Sequence, residues 1–162
     1  MSMLQVSDRA PDFTLCDVDE KTHALNANQS PLTLAIFFKT SCPTCHYAWP
    51  FYQRLHEAYA DAGLRVLAIS QHDAERTRAY RDQYHATFPH LLDEGFPVSQ
   101  VYDPAFVPTG FLIDAHGDII ETFESWNSKR LNEFSERVAR RLGVASQMIV
   151  TAQDNARENM IG

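Results

Sequence analysis

Apolar and polar positions along the chain follow two periods, and these divide it into elements. Leu32–Phe38 is an unbroken apolar run, as expected for a central strand buried on both faces, and Leu64–Ser70, of the same length and largely apolar, reads as the next central strand. Between them, 43–62 carries Ala48, Trp49, Tyr52, Leu55 and Tyr59 at helical spacing, and Gly63 stands where such a helix would stop. Asp12–Leu25 alternates loosely around a turn-like segment at 17–21, which predicts a short hairpin. Asp73 can cap a helix over 74–85, with Tyr80 and Tyr84 on one buried face. Segment 88–92 reads as a short extended piece and 98–102 as one helical turn. Segments 110–114 and 118–123 read as a hairpin joined at 115–117. Ser128 is placed to cap a last helix ending at Gly143, with Leu131, Phe134, Val138 and Leu142 on its apolar face. Glu133/Arg137 and Glu136/Arg140 are spaced to pair along the other side. Strands alternating with helices, closed by a hairpin and a helix, predict a mixed sheet with helices on both faces.

A chain of 162 residues suits one sizeable core. The pattern predicts a domain over 1–143 and a weakly patterned surface tail over 144–162. Fourteen basic against twenty-one acidic residues give a formal charge of −7, with no basic stripe, so nucleic acid is not an expected partner. The apolar runs are too short to span a bilayer, so a membrane is not expected either. The first ten residues lack a basic segment followed by an apolar stretch, and the expectation is a cytoplasmic protein. Three cysteines are too few, and odd in number, for a disulfide scaffold.

The chemistry concentrates at Cys42-Pro43-Thr44-Cys45, at the step from an apolar strand into an amphipathic helix. Two thiols at this spacing can pass between dithiol and disulfide. A helix starting at Pro43 puts the Cys42 sulfur beside unpaired N–H groups, which favours thiolate, and Pro43 suits the first turn because it has no N–H to satisfy. Lys39 adds positive charge if its side chain turns toward the sulfur. Cys45, one turn further in, is placed to resolve a mixed disulfide formed at Cys42. Other readings fit the same residues. Cys-Pro-Thr-Cys-His matches a c-type haem attachment pattern, but the strand-then-helix context does not suit it. Cys42, Cys45 and His46 offer zinc three ligands with no second cysteine pair. Two unreactive buried cysteines are the plain alternative. Cys16 reads as inert. His72 and Asp73 follow a strand end, where capping is the simpler account.

The order of motifs resembles the thioredoxin superfamily, specifically its redoxin branch of AhpC/TSA and TlpA-like thiol–disulfide proteins. The likeness runs over about 8–143. It rests on the opening 10–15 segment Ala-Pro-Asp-Phe-Thr-Leu, Phe37-Phe38 leading into Cys42 and Cys45, Pro50 five residues later, and Val107-Pro108-Thr109 before 111–114. The resemblance implies a three-layer α/β/α sandwich with a mixed central sheet, an N-terminal hairpin and a helix–strand insertion near 74–92. It implies a cis Pro108 facing the cysteines, with Val107, Pro108 and Thr109 at the substrate site. It further implies disulfide exchange with Cys42 as nucleophile and Cys45 as resolving thiol. The redox-active disulfide Cys42–Cys45 then serves in place of any cofactor, the partners being a protein or small-molecule disulfide and a thiol reductant. Pro43-Thr44 stands where thioredoxins have Gly-Pro, and Ile36 where they bury an aspartate. His46 is a candidate proton acceptor, or else a solvated first-turn histidine. A thiol peroxidase is the alternative, but its Pro-x-x-x-Thr/Ser-x-x-Cys pattern fails at Ala35 and Lys39 before Cys42, and at Phe38 and Cys42 before Cys45. A non-catalytic binding module on the same scaffold is the third reading. Trp126 and Phe96 are candidates for lining a groove.

Overall fold

The computed structural model describes residues 2–26 and 30–162. Its centre is a five-stranded mixed sheet flanked by helices. The hairpin strands β1 (Thr14–Cys16) and β2 (Thr22–Ala24) pair beside it. Next come β3 (Leu32–Phe38), α1 (Pro43–Tyr59), β4 (Leu64–Ser70), α2 (Ala74–Gln83), β5 (His90–Leu92) and α3 (Pro97–Tyr102). The chain closes with β6 (Thr109–Asp114), β7 (Ile119–Glu124), β8 (Trp126–Asn127), α4 (Ser128–Leu142), a 3-10 turn (Ala152–Asp154) and β9 (Asn159–Met160). The sheet order is β5-β4-β3-β6-β7, with β3, β4 and β5 parallel and β6 and β7 antiparallel to their neighbours.

β3 occupies the middle because every one of its residues is buried. Successive side chains of a strand point to opposite faces. Leu34, Ile36 and Phe38 therefore join one apolar layer with Trp49, Tyr52 and Leu55 of α1 and Phe134 and Val138 of α4. Ala35 and Phe37 join the other, with Phe111, Tyr102 of α3 and Phe13 of the N-terminal segment. A strand packed on both faces fixes the position of its own C-terminal end. The loop carrying the cysteines leaves β3 at that end, directly after Phe38.

Several boundaries depart from the periodicity. α1 stops at Tyr59, short of residue 62, and a tighter turn leads into Gly63. The Tyr59 hydroxyl is bonded to Ser135 Oγ at 2.6 Å, tying the helix end to α4. Asn127, not Ser128, caps α4: its Oδ1 accepts from Arg130 N at 2.8 Å. Ser128 is already helical, and its own N–H donates to the Glu158 carbonyl. Arg137 pairs across to Glu121 of β7 at 2.6 Å rather than along the helix, and Glu133 pairs with Lys129.

The stretch after Gly143 is held more firmly than its pattern indicates. Ile149 and Val150 are buried in the main core. Their N–H groups both donate to Asn132 Oδ1 of α4 at 2.9 Å. Arg54 of α1 makes a two-pronged bond to Asp154 at 2.8 and 2.9 Å. β9 then pairs antiparallel with β8, returning the chain to the end of the sheet where the cysteines lie.

Candidate active site

Cys42 is the residue at which strand geometry gives way to helix. Its backbone is extended (φ −88°, ψ 115°), its N–H donates to the Lys39 carbonyl, and α1 begins at Pro43. The first N–H groups of a helix have no partner within it. Pro43 removes one of them, and the Cys42 sulfur accepts from Cys45 N at 3.2 Å. The sulfur is thus the helix cap, a position that favours its anion.

The two thiols are driven apart in acidity. Cys42 is lowered from 9.0 to about 6, chiefly by hydrogen bonding from the Cys45 thiol, with help from the Cys45 and Thr44 N–H groups and the His46 charge, and against the opposing effect of burial. Cys45 is fully buried, and burial followed by the neighbouring Cys42 pushes its thiol well up. One sulfur is readily an anion and the other holds its proton. Lys39 enters this geometry through its carbonyl, while its side chain is exposed.

His46 is not a solvated histidine. Its Nε2 bonds to the Thr40 carbonyl at 2.7 Å, so Nε2–H donates, and its Nδ1 faces the Tyr84 hydroxyl at 2.5 Å. Tyr84 lies just past α2, half-buried: its ring packs against the main core beside Tyr80, as the helical spacing predicts, and its hydroxyl reaches out to His46. His72 holds the same loop from the other side, its Nδ1 accepting from Thr40 N at 3.2 Å and facing Thr40 Oγ1 at 2.5 Å. Burial, then the Arg76 and Lys39 charges, lower its pKa. Two histidines therefore clamp Thr40, two residues before Cys42. Neither the clamp nor Tyr84's part in it was readable from spacing, because the partners come from different elements. Asp73 does cap α2, through Arg76 N.

The Val107–Pro108 peptide is cis. The Cys42 thiol donates to the Val107 carbonyl at 3.4 Å, across 65 residues of sequence. Pro108 is buried, and its carbonyl accepts from Ser125 N at 2.8 Å. Thr109 is fully buried with its hydroxyl donating to the Phe106 carbonyl at 2.7 Å, so its side chain braces the loop from within. Thr44, between the cysteines, donates from Oγ1 to the Ile161 carbonyl at 2.6 Å. Gly162 N donates to Ser125 Oγ at 3.0 Å. The last residues of the chain therefore meet the site, a contact no local pattern announced.

Other candidates lie apart. Cys16 is exposed on β1 beside Thr22 Oγ1. Trp126 is buried and walls a cleft of about 280 Å³ between β7 and α4, whereas Phe96 is exposed at the start of α3. Among the described residues, no three His, Cys, Asp or Glu side chains converge as a metal-binding group.

A mixed sheet with a cysteine pair at the β3–α1 junction, facing a cis-proline loop, defines a thioredoxin-fold thiol–disulfide oxidoreductase. Residues 6–122 match the AhpC/TSA family model, and the chain belongs to that family, on its TlpA/ResA-like side. Thiol-disulfide oxidoreductase ResA of Halalkalibacterium halodurans is 26% identical over 139 residues, covering 85% of this chain and 79% of that protein. ResA of Geobacillus thermodenitrificans is 28% identical over 115 residues, covering 70% and 66%. The thioredoxin domain of a thiol-disulfide oxidoreductase from Bacteroides vulgatus superposes with a TM-score of 0.74 at 20% identity, covering 83% of this chain and 98% of that one, a likeness of fold.

Proposed function

We propose that Cys42 attacks a substrate disulfide and that Cys45 resolves the product. The reading rests on one observation: the Cys42 sulfur caps α1 and is held near pKa 6, while the buried Cys45 thiol one turn away is held protonated. The Cys42 thiolate bonds to one substrate sulfur, and the other leaves as a thiolate. With Cys42 in a mixed disulfide, its charge no longer raises the Cys45 pKa. Cys45 then attacks Cys42 Sγ, its proton passing to the second substrate sulfur, which leaves as a thiol. Two electrons pass to the substrate, the product is the Cys42–Cys45 disulfide, and a thiol reductant restores the pair. Val107 and Pro108 flank the attacking sulfur and offer backbone to the substrate. Pro43 and Thr44 shape the helix start, and His46 favours the thiolate.

Trapping tests this. Cys45→Ser should accumulate a mixed disulfide through Cys42 with a disulfide substrate, visible by mass and reversed by reductant, and Cys42→Ser should form none. A Cys45→Ser protein that forms no adduct, alongside a Cys42 of ordinary thiol acidity, would sink the mechanism.

A further inference from the structure

Residues 157–162 lie where a substrate must approach. We propose that residues 157–162 form an internal strap over the entrance to Cys42, a competitor that extended disulfide substrates displace and small disulfides bypass. The inference rests on the reading of Cys42 as the attacking thiol.

The strap is anchored upstream and loosely fastened at its tip. Arg157 N donates to the Tyr47 hydroxyl and the Arg157 carbonyl accepts from Trp126 Nε1, both at 2.7 Å. β9 next pairs with β8 through Asn159 and Met160. Beyond Met160, two hydrogen bonds fasten the tip, from Thr44 Oγ1 to the Ile161 carbonyl and from Gly162 N to Ser125 Oγ. Gly162 presses so closely on Val107 that a Cβ there would collide with the Val107 carbonyl. That carbonyl is the one beside the Cys42 sulfur, and Cys42 itself is only 9% exposed. Backbone polar groups that an incoming extended chain would face are thus already covered by this chain's own backbone. The tip buries little: Ile161 is 82% exposed. A fastening of two side-chain hydrogen bonds with little apolar burial is weak enough to exchange for a substrate.

Two variants of the full chain loosen the tip without touching the cysteines. Gly162→Val places a side chain against the Val107 backbone, which cannot yield as a flexible side chain would. Ser125→Gly removes the acceptor for Gly162 N, and glycine suits the positive φ of 59° at that position, so folding is not endangered. The reduced proteins are mixed with 2-hydroxyethyl disulfide and with a linear peptide carrying a thionitrobenzoate disulfide in an extended segment. Both variants should react with the peptide about tenfold faster than the parent, equivalent to about 1.4 kcal/mol, with the small-disulfide rate unchanged. Unchanged peptide rates, or equal changes with both probes in either direction, would overturn the strap. A parent protein no faster than free thiol with 2-hydroxyethyl disulfide would instead overturn the reading of Cys42, and the strap with it.

Discussion

At the scale of single residues, Cys42 and Cys45 show how one helical turn separates two identical groups. Cys42 gathers the donors of a helix start, and Cys45 is sealed beneath it. Because thiolate is the reactive form, alkylation of Cys42 by iodoacetamide should be slow in acid, rise through a midpoint near 6 and level off above it. Mass spectrometry of the reduced protein measures this directly. Cys45→Ala removes the largest cause of the lowered pKa and should move the midpoint upward, and His46→Leu should move it upward by less. An unmoved midpoint in Cys45→Ala would contradict the assigned cause. The pair itself was legible in the sequence, because spacing and flanking pattern are local. The role of His46 was not: its partners are Tyr84, 38 residues away, and the carbonyl of Thr40.

At the scale of elements, the site depends on where β6 and β7 hold the proline loop. Gly110 sits opposite Phe123 in that pairing, and a Cβ on Gly110 would run into the Phe123 ring. The ring in turn packs against Phe134 of α4 at 5.3 Å and Tyr52 of α1 at 5.8 Å, so it has little freedom to move aside. Gly110→Ala should therefore destabilise the protein by about 1–3 kcal/mol, measured by urea unfolding. A neutral result would mean that the Phe123 ring swings out without cost. The pattern located this hairpin to within a residue or so, since alternation and the turn at 115–117 are short-range signals. It gave no reason for Gly110 to be glycine, because the reason is a ring on the next strand.

At the scale of the whole molecule, the core contains a histidine. His90 of β5 is fully buried against the rings of Phe38, Trp49 and Phe88. Its Nδ1–H donates to the Phe88 carbonyl at 2.8 Å, and its Nε2 accepts from Trp49 Nε1 at 3.1 Å. Both nitrogens are satisfied only in the neutral ring. Burial lowers its pKa from 6.5 to about 4. Between those values the unfolded chain binds a proton that the native state refuses. The contribution is complete above pH 6.5, falls as pH drops toward 4 and is absent below, a loss of about 3 kcal/mol in all. His56 and His72 are lowered in the same direction and add to the slope. Denaturant unfolding between pH 7 and 4 should show the decline, and His90→Phe should flatten it. An equal slope in that variant would place the acid sensitivity elsewhere.

The sequence by itself determined the elements and the reactive pair. Leu32–Phe38 and Leu64–Ser70 can be little other than buried strands, and Cys42-Pro43-Thr44-Cys45 between strand and helix is a dithiol at a helix start. These are properties of neighbouring residues, and the periods of strand and helix express them directly. Tertiary structure decided everything that needed a distant partner. It brought Val107 to the Cys42 sulfur, clamped Thr40 between His46 and His72, buried Ile149 and Val150, and laid Ile161 and Gly162 on Thr44 and Ser125. Those contacts join residues up to 117 positions apart. The groups that make them are ordinary side chains and backbone atoms, and only the folded sheet determines which of them meet.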